Sequence, residues 1–242
     1  MKNWIKIAGL LMLTLPFVVQ AEDFTYTTNA DNTITITGYT GTNGVLSIPS
    51  MINGLPVTRI RSFAFYNYPG LTGSLTIPAG VTGIGHAAFY NCSNLTGSLT
   101  IPAGVTNIGD SAFLNCSGLT GVYFLGNAPS VGSLPFSGVA TKTIYYLPGT
   151  TNWTNPWANC PTALWTPQVQ TGDADFGMRT NGFGFNINWA SGMTVVVEAC
   201  TNLTSGIWEP VATNTLTGES VQFSDPAFTN YPSRYYRVSM PQ

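Results

Sequence analysis

Charge is what this sequence has least of. Only 7% of its 242 residues are charged, against about 25% in an average soluble domain. Eight Lys and Arg cannot build the basic surface that displaces counterions from a phosphate backbone, so nucleic-acid binding is excluded. There is one histidine, His86, which rules out a multi-histidine metal site, and nothing beside it marks a nucleophile it would activate. No Gly-rich phosphate loop follows a strand and opens a helix. Cysteine is scarce, at four residues. Beyond Ala21 no apolar run reaches the roughly 18 residues needed to span a bilayer, so no transmembrane anchor is expected. Low charge combined with 44% hydrophobic residues is the opposite of a disordered composition. Long helices are rich in Ala, Glu, Lys and Leu, whereas Thr, Asn, Ser and Gly dominate here. The composition predicts a β-rich, turn-rich, extracytoplasmic protein.

The stretch Met1–Ala21 supplies the address. Lys2 and Lys6 precede an apolar run from Ile7 to Val19, and Val19-Gln20-Ala21 ends it with a cleavage-site pattern. This predicts a secretory signal peptide cut after Ala21 and a secreted or cell-surface location. The run is too short for a spanning helix, and no Cys follows the cut to carry a lipid. Cleavage removes two of the eight basic residues, moving net charge from −2 to −4. Long-range steering of a partner is therefore expected to be weak.

Self-similarity organises the segment beyond the leader. Leu75-Thr-Ile-Pro-Ala-Gly-Val-Thr recurs at Leu99, and Ile77, Phe89, Cys92 and Leu95 return at the same spacing as Ile101, Phe113, Cys116 and Leu119. An earlier copy starts at Leu46, with Phe65 one period before Phe89 and a five-residue insertion between Ser50 and Thr58. A degenerate fourth copy begins at Val122. The period of about 24 residues lies in the range of leucine-rich solenoids, whose coils bury their apolar faces only by stacking. Leu75-Thr76-Ile77 alternates as a short strand with Leu75 and Ile77 inward, and Pro78 ends it. His86 to Cys92 is expected to form one helical turn or a short helix. Phe65, Phe89 and Phe113 should form one ladder and Leu71, Leu95 and Leu119 another. Asn67, Asn91 and Asn115 are expected to bond loop backbone between coils.

Segments 22–45, 46–149, 150–166 and 167–242 read in turn as an N-terminal cap, the solenoid, a Trp- and Pro-rich flank and a small antiparallel sandwich. Phe24 to Tyr39 alternates around Asn29-Ala30-Asp31-Asn32, a β-hairpin signature, and it would cover an otherwise open solenoid edge. In the last segment, strands are expected at Gly184–Trp189, Thr194–Ala199, Glu209–Thr213, Ser220–Asp225 and Arg234–Val238, with Trp189 and Trp208 as core anchors. The fold class is thus mainly β: a short parallel-strand solenoid followed by a sandwich.

The INGLPVTRI stretch (Ile52–Ile60), the repeated LTIPAGVT, and AFYNC and AFLNC resemble the BspA-like leucine-rich repeat family of secreted and surface proteins, over about Asp23 to Gly149. The resemblance implies a curved solenoid used for adhesion or recognition, not catalysis, without cofactor. The first copy departs from it, with RSFAFYNY in place of the usual Gly-acid start and Cys. The C-terminal VEACTNLTSGIWEPVATNT and FSDPAFTNYPSRYYRV resemble a module appended to secreted bacterial proteins, similar to fibronectin type III, which implies no chemistry.

The candidate sites are surfaces. Outward strand positions Ser47, Thr76, Thr100 and Tyr123, flanked by Ser74 and Ser98, line the expected binding face for an extracellular protein or glycan. Tyr66, Tyr90 and Leu114 on the turns, and Trp153 and Trp157 in the flank, are alternative contact points, and carbohydrate binding through aromatics of the flank or the sandwich is the second reading. A structural spacer in an extracellular assembly is the third reading. His86, equivalent to Asp110 and Ser62, reads as a variable exposed residue. Asp173 and Asp175 read as a solvated loop rather than a glycosidase pair. Cys92 and Cys116 are close enough to bridge, but small buried thiols are favoured, in keeping with the family's core use of this position; the state of Cys160 and Cys200 is open.

Overall fold

A computed structural model describes residues 23–41, 44–180, 182–190, 192–218 and 220–241; the leader expected at Met1–Ala21 lies outside them. The chain enters as the expected antiparallel hairpin, β1 (Phe24–Thr28) and β2 (Ile34–Tyr39), with Asn32 at a positive φ of 59° in the turn. β2 pairs in parallel with the first coil and so caps it.

Each full coil contributes two strands, on two different faces. One face carries β3 (Leu46–Ser47), β6 (Leu75–Thr76), β8 (Gly97–Ile101), β10 (Leu119–Phe124), β12 (Ile144–Tyr146) and β13 (Thr162–Leu164). Its pairs are parallel: β3 with β6, and β8 with β10, β12 and β13 in order. The other face carries β5 (Leu55–Ile60), β7 (Gly83–Ile84), β9 (Asn107–Ile108) and β11 (Ser130–Val131), stacked in parallel beyond β2. The five-residue insertion of the first copy makes a hairpin of β4 (Met51–Ile52) on β5. Its Asn53-Gly54 turn has φ of 52° and 79°, the two positive angles that a two-residue hairpin with Asn-Gly selects. The parallel sheet also runs past Gly149 into the flank, because β13 pairs with β12.

The segment His86–Cys92 is not helical. The Ala87, Phe89 and Asn91 N–H groups donate to Asp110, Ala112 and Leu114 carbonyls on the next coil, at 2.8, 2.8 and 2.7 Å. A helix would have used those donors within its own turn. Residues four apart take the left-handed region in this turn: Ala87 and Asn91 at φ of 49° and 57°, repeated at Ser111 and Asn115. Asn tolerates that conformation, which accounts for its recurrence. The Asn91 side chain bonds the Asn67 side chain at 2.8 Å rather than loop backbone.

The core follows from stacking. Phe65, Phe89 and Phe113 are buried with rings 4.7 and 5.1 Å apart and nearly parallel, and Phe136 continues the column at 5.5 Å. At about 25 cal/mol per Å², fully burying a phenyl contributes roughly 3 kcal/mol of transfer energy. Leu71, Leu95 and Leu119 are fully buried beside it. The coils approach so closely that side chains are excluded at fixed points. A Cβ on Gly109 would lie 2.4 Å from the His86 nitrogen, and one on Gly85 2.3 Å from that of Ser62.

After the flank come β14 (Gln168–Gln170), β15 (Gly177–Arg179), β16 (Gly182–Asn188), β17 (Thr194–Cys200), β18 (Glu209–Thr215), β19 (Ser220–Asp225) and β20 (Tyr235–Ser239). β16 pairs with β14, β15 and β19; β17 pairs with β18 and β20; all are antiparallel. Five of these seven match expected strands, and β14 and β15 are additional. The two sheets enclose a second core around Phe185, Ile187, Trp189, Val195, Val197 and Phe223. Buried Asp225 joins them: it pairs with Arg234 Nε at 2.7 Å and accepts the Tyr236 hydroxyl proton at 2.8 Å. Burial, then that carboxylate, pushes the Tyr236 phenol well above its ordinary value. Trp208 is not a core anchor: half-buried, it lies under the Arg237 guanidinium, 4.6 Å from the ring centroid.

Candidate functional site

The outward strand residues converge on a cleft. Leu75 and Ile77, Leu99 and Ile101, Val122 and Phe124 point into the core, so strand alternation turns Ser74, Thr76, Ser98, Thr100 and Tyr123 outward. Register then aligns Thr100, Tyr123 and Tyr145 across β8, β10 and β12. Tyr123 and Tyr145 stack at 5.2 Å. β6 and β8 are spatial neighbours, yet among the described residues no ladder joins them. At this seam a cleft of about 520 Å³ opens, with Ser74, Thr76, Ser98 and Thr100 among its lining residues. That volume is in the range of sites that enclose small ligands.

The opposite wall comes from the far end of the chain. Trp165 follows β13, its N–H bonded to the Tyr146 carbonyl at 2.7 Å, and its ring lies 4.4 Å from that of Tyr123. The Trp165 carbonyl accepts the indole N–H of buried Trp189 at 3.0 Å. This bond, with Leu125 and Leu147 packed into the second core, holds the antiparallel sheets beside the solenoid strands. A smaller chamber of about 260 Å³ adjoins the first, sharing Ser98, Thr100 and Trp165 and adding Tyr123, Gln168, Gln170 and Asn188. Among the described residues, no charged one lines either chamber. The face expected to lie open is thus partly walled, and Tyr123 is half-buried. Ser47 is exposed on β3, outside both chambers.

The other candidates are placed differently. Trp157 is buried against Phe124, at 5.3 Å, and closes the solenoid end. Trp153 is half-buried, stacked on Tyr146 at 4.9 Å with its N–H on the Thr150 hydroxyl. Both indoles therefore act as a lid on the last coil instead of a ligand platform. Tyr66 and Tyr90 stack at 4.9 Å on the turns, Tyr66 exposed and Tyr90 half-buried like Leu114. His86 is exposed, edge-on to Phe63.

The acidic pair is engaged by nearby side chains. Asn186 Nδ2 bridges Asp173 and Asp175 at 2.9 and 2.7 Å, and Arg179 pairs with Asp175. The Arg179 hydrogen bond, then that of Asn186, holds the Asp175 carboxyl below its ordinary value. These contacts brace a loop. Cys92 and Cys116 are buried free thiols, each donating to a carbonyl of an earlier coil, Phe65 and Phe89, at 3.0 Å; Cys160 and Cys200 are free as well. Among the described residues no three His, Cys, Asp or Glu gather as a metal site.

Sequence reasoning does not reach Trp165, Gln168, Gln170 and Asn188 as site residues. The only signal is Gln168-Val169-Gln170, whose polar-apolar-polar alternation is too brief to mark a strand.

Stacked coils, two parallel-strand faces and an internal phenylalanine column define a leucine-rich repeat solenoid protein. Residues 44–160 match the BspA type leucine rich repeat region in 6 copies. The chain is similar to the crystal structure of a T. pallidum leucine-rich repeat protein, at 28% identity and a TM-score of 0.48, covering 60% of this chain and 64% of that one. It is also similar to a leucine-rich repeat protein of Bacteroides ovatus (29%, TM-score 0.45, 57% and 37% coverage). A leucine-rich cell surface protein of Faecalibacterium prausnitzii is similar too (23%, TM-score 0.39, 73% and 59%). The chain spans less than two thirds of the length of each of these three. No curated protein matches it. Among the described residues, no helix is long and apolar enough to cross a membrane.

Proposed function

We propose that this is a secreted or surface-exposed recognition protein, non-catalytic, that holds an extracellular protein or glycan against the strand face of its solenoid. The observation that carries this reading is the convergence of Ser74, Thr76, Ser98 and Thr100 on one cleft closed by a second structural unit. Recognition there rests on shape, hydrogen bonds and aromatic contact, since the lining residues carry no charge. Repeat solenoids present such extended faces to partners. The signal-like leader supports an extracytoplasmic address, and adhesion is the role that fits it. The flank aromatics are a weaker surface for this purpose, because Trp157 is 8% exposed.

Replacing Thr100 by Arg tests the reading. Thr100 is half-buried at the boundary of both chambers, so an arginine fills the cleft mouth without entering the core. Binding of the full chain to arrays of matrix proteins and glycans is expected to be lost in Thr100→Arg, with the circular dichroism spectrum unchanged. Undiminished array binding by this variant refutes the assignment of the face.

A further inference from the structure

We infer that the walled cleft is a binding site for an uncharged oligosaccharide, stacked against Trp165 and Tyr123 and read by the side-chain amides of Gln168, Gln170 and Asn188. The inference rests on the proposal that this face binds a partner, and it specifies the ligand. Three features of the site carry it.

The first is neutrality. Among the described residues no charged side chain lines either chamber, so uronates, sulfated or sialylated glycans, phosphates and charged peptides find no counter-ion among them. A ligand charge brought into a partly enclosed cleft without a partner would lose hydration and gain nothing.

The second is the pairing of aromatic wall and planar amides. Tyr145, Tyr123 and Trp165 form a continuous aromatic series at 5.2 and 4.4 Å. Aromatic faces attract the C–H patches of a pyranose ring, while its hydroxyls, each donor and acceptor, need carboxamides and hydroxyls beside them. Gln168 and Gln170 stand two residues apart on β14, so both side chains leave the same face of the strand, while Val169 packs toward the second core. They are spaced about 6.6 Å along the strand. Asn188 lies opposite Gln168 in register. The Gln168 amide already donates to the Thr166 carbonyl and hydroxyl at 3.1 Å, which fixes its orientation before a ligand arrives.

The third is continuity. The chambers share Ser98, Thr100 and Trp165, so one elongated ligand passes from the amide-rich chamber to the larger one, where Ala79 and Leu125 offer apolar surface and the Ser and Thr hydroxyls a polar rim. A peptide adding as a strand to the unjoined edges of β6 and β8 is the competing occupant; the amide-rich chamber beyond Thr100, lined by Gln168, Gln170 and Asn188 side chains, favours a sugar, and the peptide arm of the titration separates the two.

Isothermal titration of the full chain against cello-, chito-, manno- and xylohexaose, with a galacturonate oligomer and a random peptide library as counterparts, tests the inference. At least one neutral hexaose is expected to bind and the galacturonate oligomer to fail. Gln170→Ala and Asn188→Ala should each weaken the bound sugar about three- to tenfold, the loss of one hydrogen bond. Trp165→Phe should retain binding and Trp165→Ala should abolish it. Asn188 is exposed and Gln170 half-buried outside either core, and an unchanged melting temperature of each variant separates a loss of binding from a loss of fold. Failure of all four hexaoses, or sugar binding indifferent to both amide variants, overturns the inference. Peptide or protein binding that Thr100→Arg abolishes, with no sugar bound, overturns the ligand class but leaves the recognition face standing. Indifference of every ligand to Thr100→Arg brings down both.

Discussion

At the scale of single residues, the thiols of Cys92 and Cys116 show how a repeat position is spent. Both are fully buried, and each donates to a carbonyl of an earlier coil. Desolvation pushes the Cys92 thiol up to about 11 and raises Cys116 too, with a further contribution from the neighbouring Cys92. A group whose folded value is raised contributes full stability below its unfolded value, about 8.5 for a thiol, and loses it as pH climbs toward the folded value. Unfolding free energy should therefore fall between about pH 8.5 and 11, as followed by urea denaturation. The Cys92→Ala, Cys116→Ala double variant should show a shallower decline. In native protein at pH 8, a thiol reagent should leave both residues unmodified until denaturant is added. Rapid native labelling of either would contradict the burial argument.

At the scale of the element, the close approach of successive coils governs the sequence as firmly as the hydrophobic pattern does. Gly109 follows β9 with its α-carbon against the backbone of the preceding coil, where a Cβ would come within 2.4 Å of the His86 nitrogen. Neither backbone can yield without breaking the Gly109 N–H bond to the Ile84 carbonyl at 2.8 Å. Gly109→Ala should cost about 2–3 kcal/mol. Gly83→Ala is the control: a Cβ there meets nothing within 4 Å, and its effect should be within about 0.5 kcal/mol. Equal effects in thermal melts would mean that the coils are less tightly apposed. The same packing explains what was readable in the letters. The Phe and Leu columns announce themselves through the repeat period, and the capping hairpin and five C-terminal strands through strand alternation. The turn at His86–Cys92 did not, because its local composition allows a helix and only the donors spent on the next coil forbid one. β7, β9 and β11 are two residues long, too short to alternate. Phe136 escaped because it follows Phe113 one position short of a full period.

At the scale of the whole molecule, the decisive feature is that the solenoid and the antiparallel sheets share structure at their junction. Half of the candidate cleft was legible: Ser74, Thr76, Ser98 and Thr100 follow from strand alternation. The other half was not, since Gln168, Gln170 and Asn188 reach it only through the docking of a separate core, and no local pattern encodes that contact. Docking is carried by Leu147, buried at 6% exposure among residues of the second core, and by the Trp189 indole on the Trp165 carbonyl. A chain ended after Thr166 keeps every repeat but uncovers Leu147 and one face of Trp165. Exposing a leucine forfeits about 1.5–3 kcal/mol, and in a protein of this size each kcal/mol moves the midpoint by about 2–4 °C. The truncated solenoid should therefore melt roughly 5–10 °C lower than the full chain. The isolated 167–242 segment, deprived of Leu147 and Trp165, should show broad, non-cooperative unfolding. If instead the truncated solenoid melts at the temperature of the full chain and 167–242 unfolds cooperatively, the junction is a mere linker and the cleft a gap between independent units.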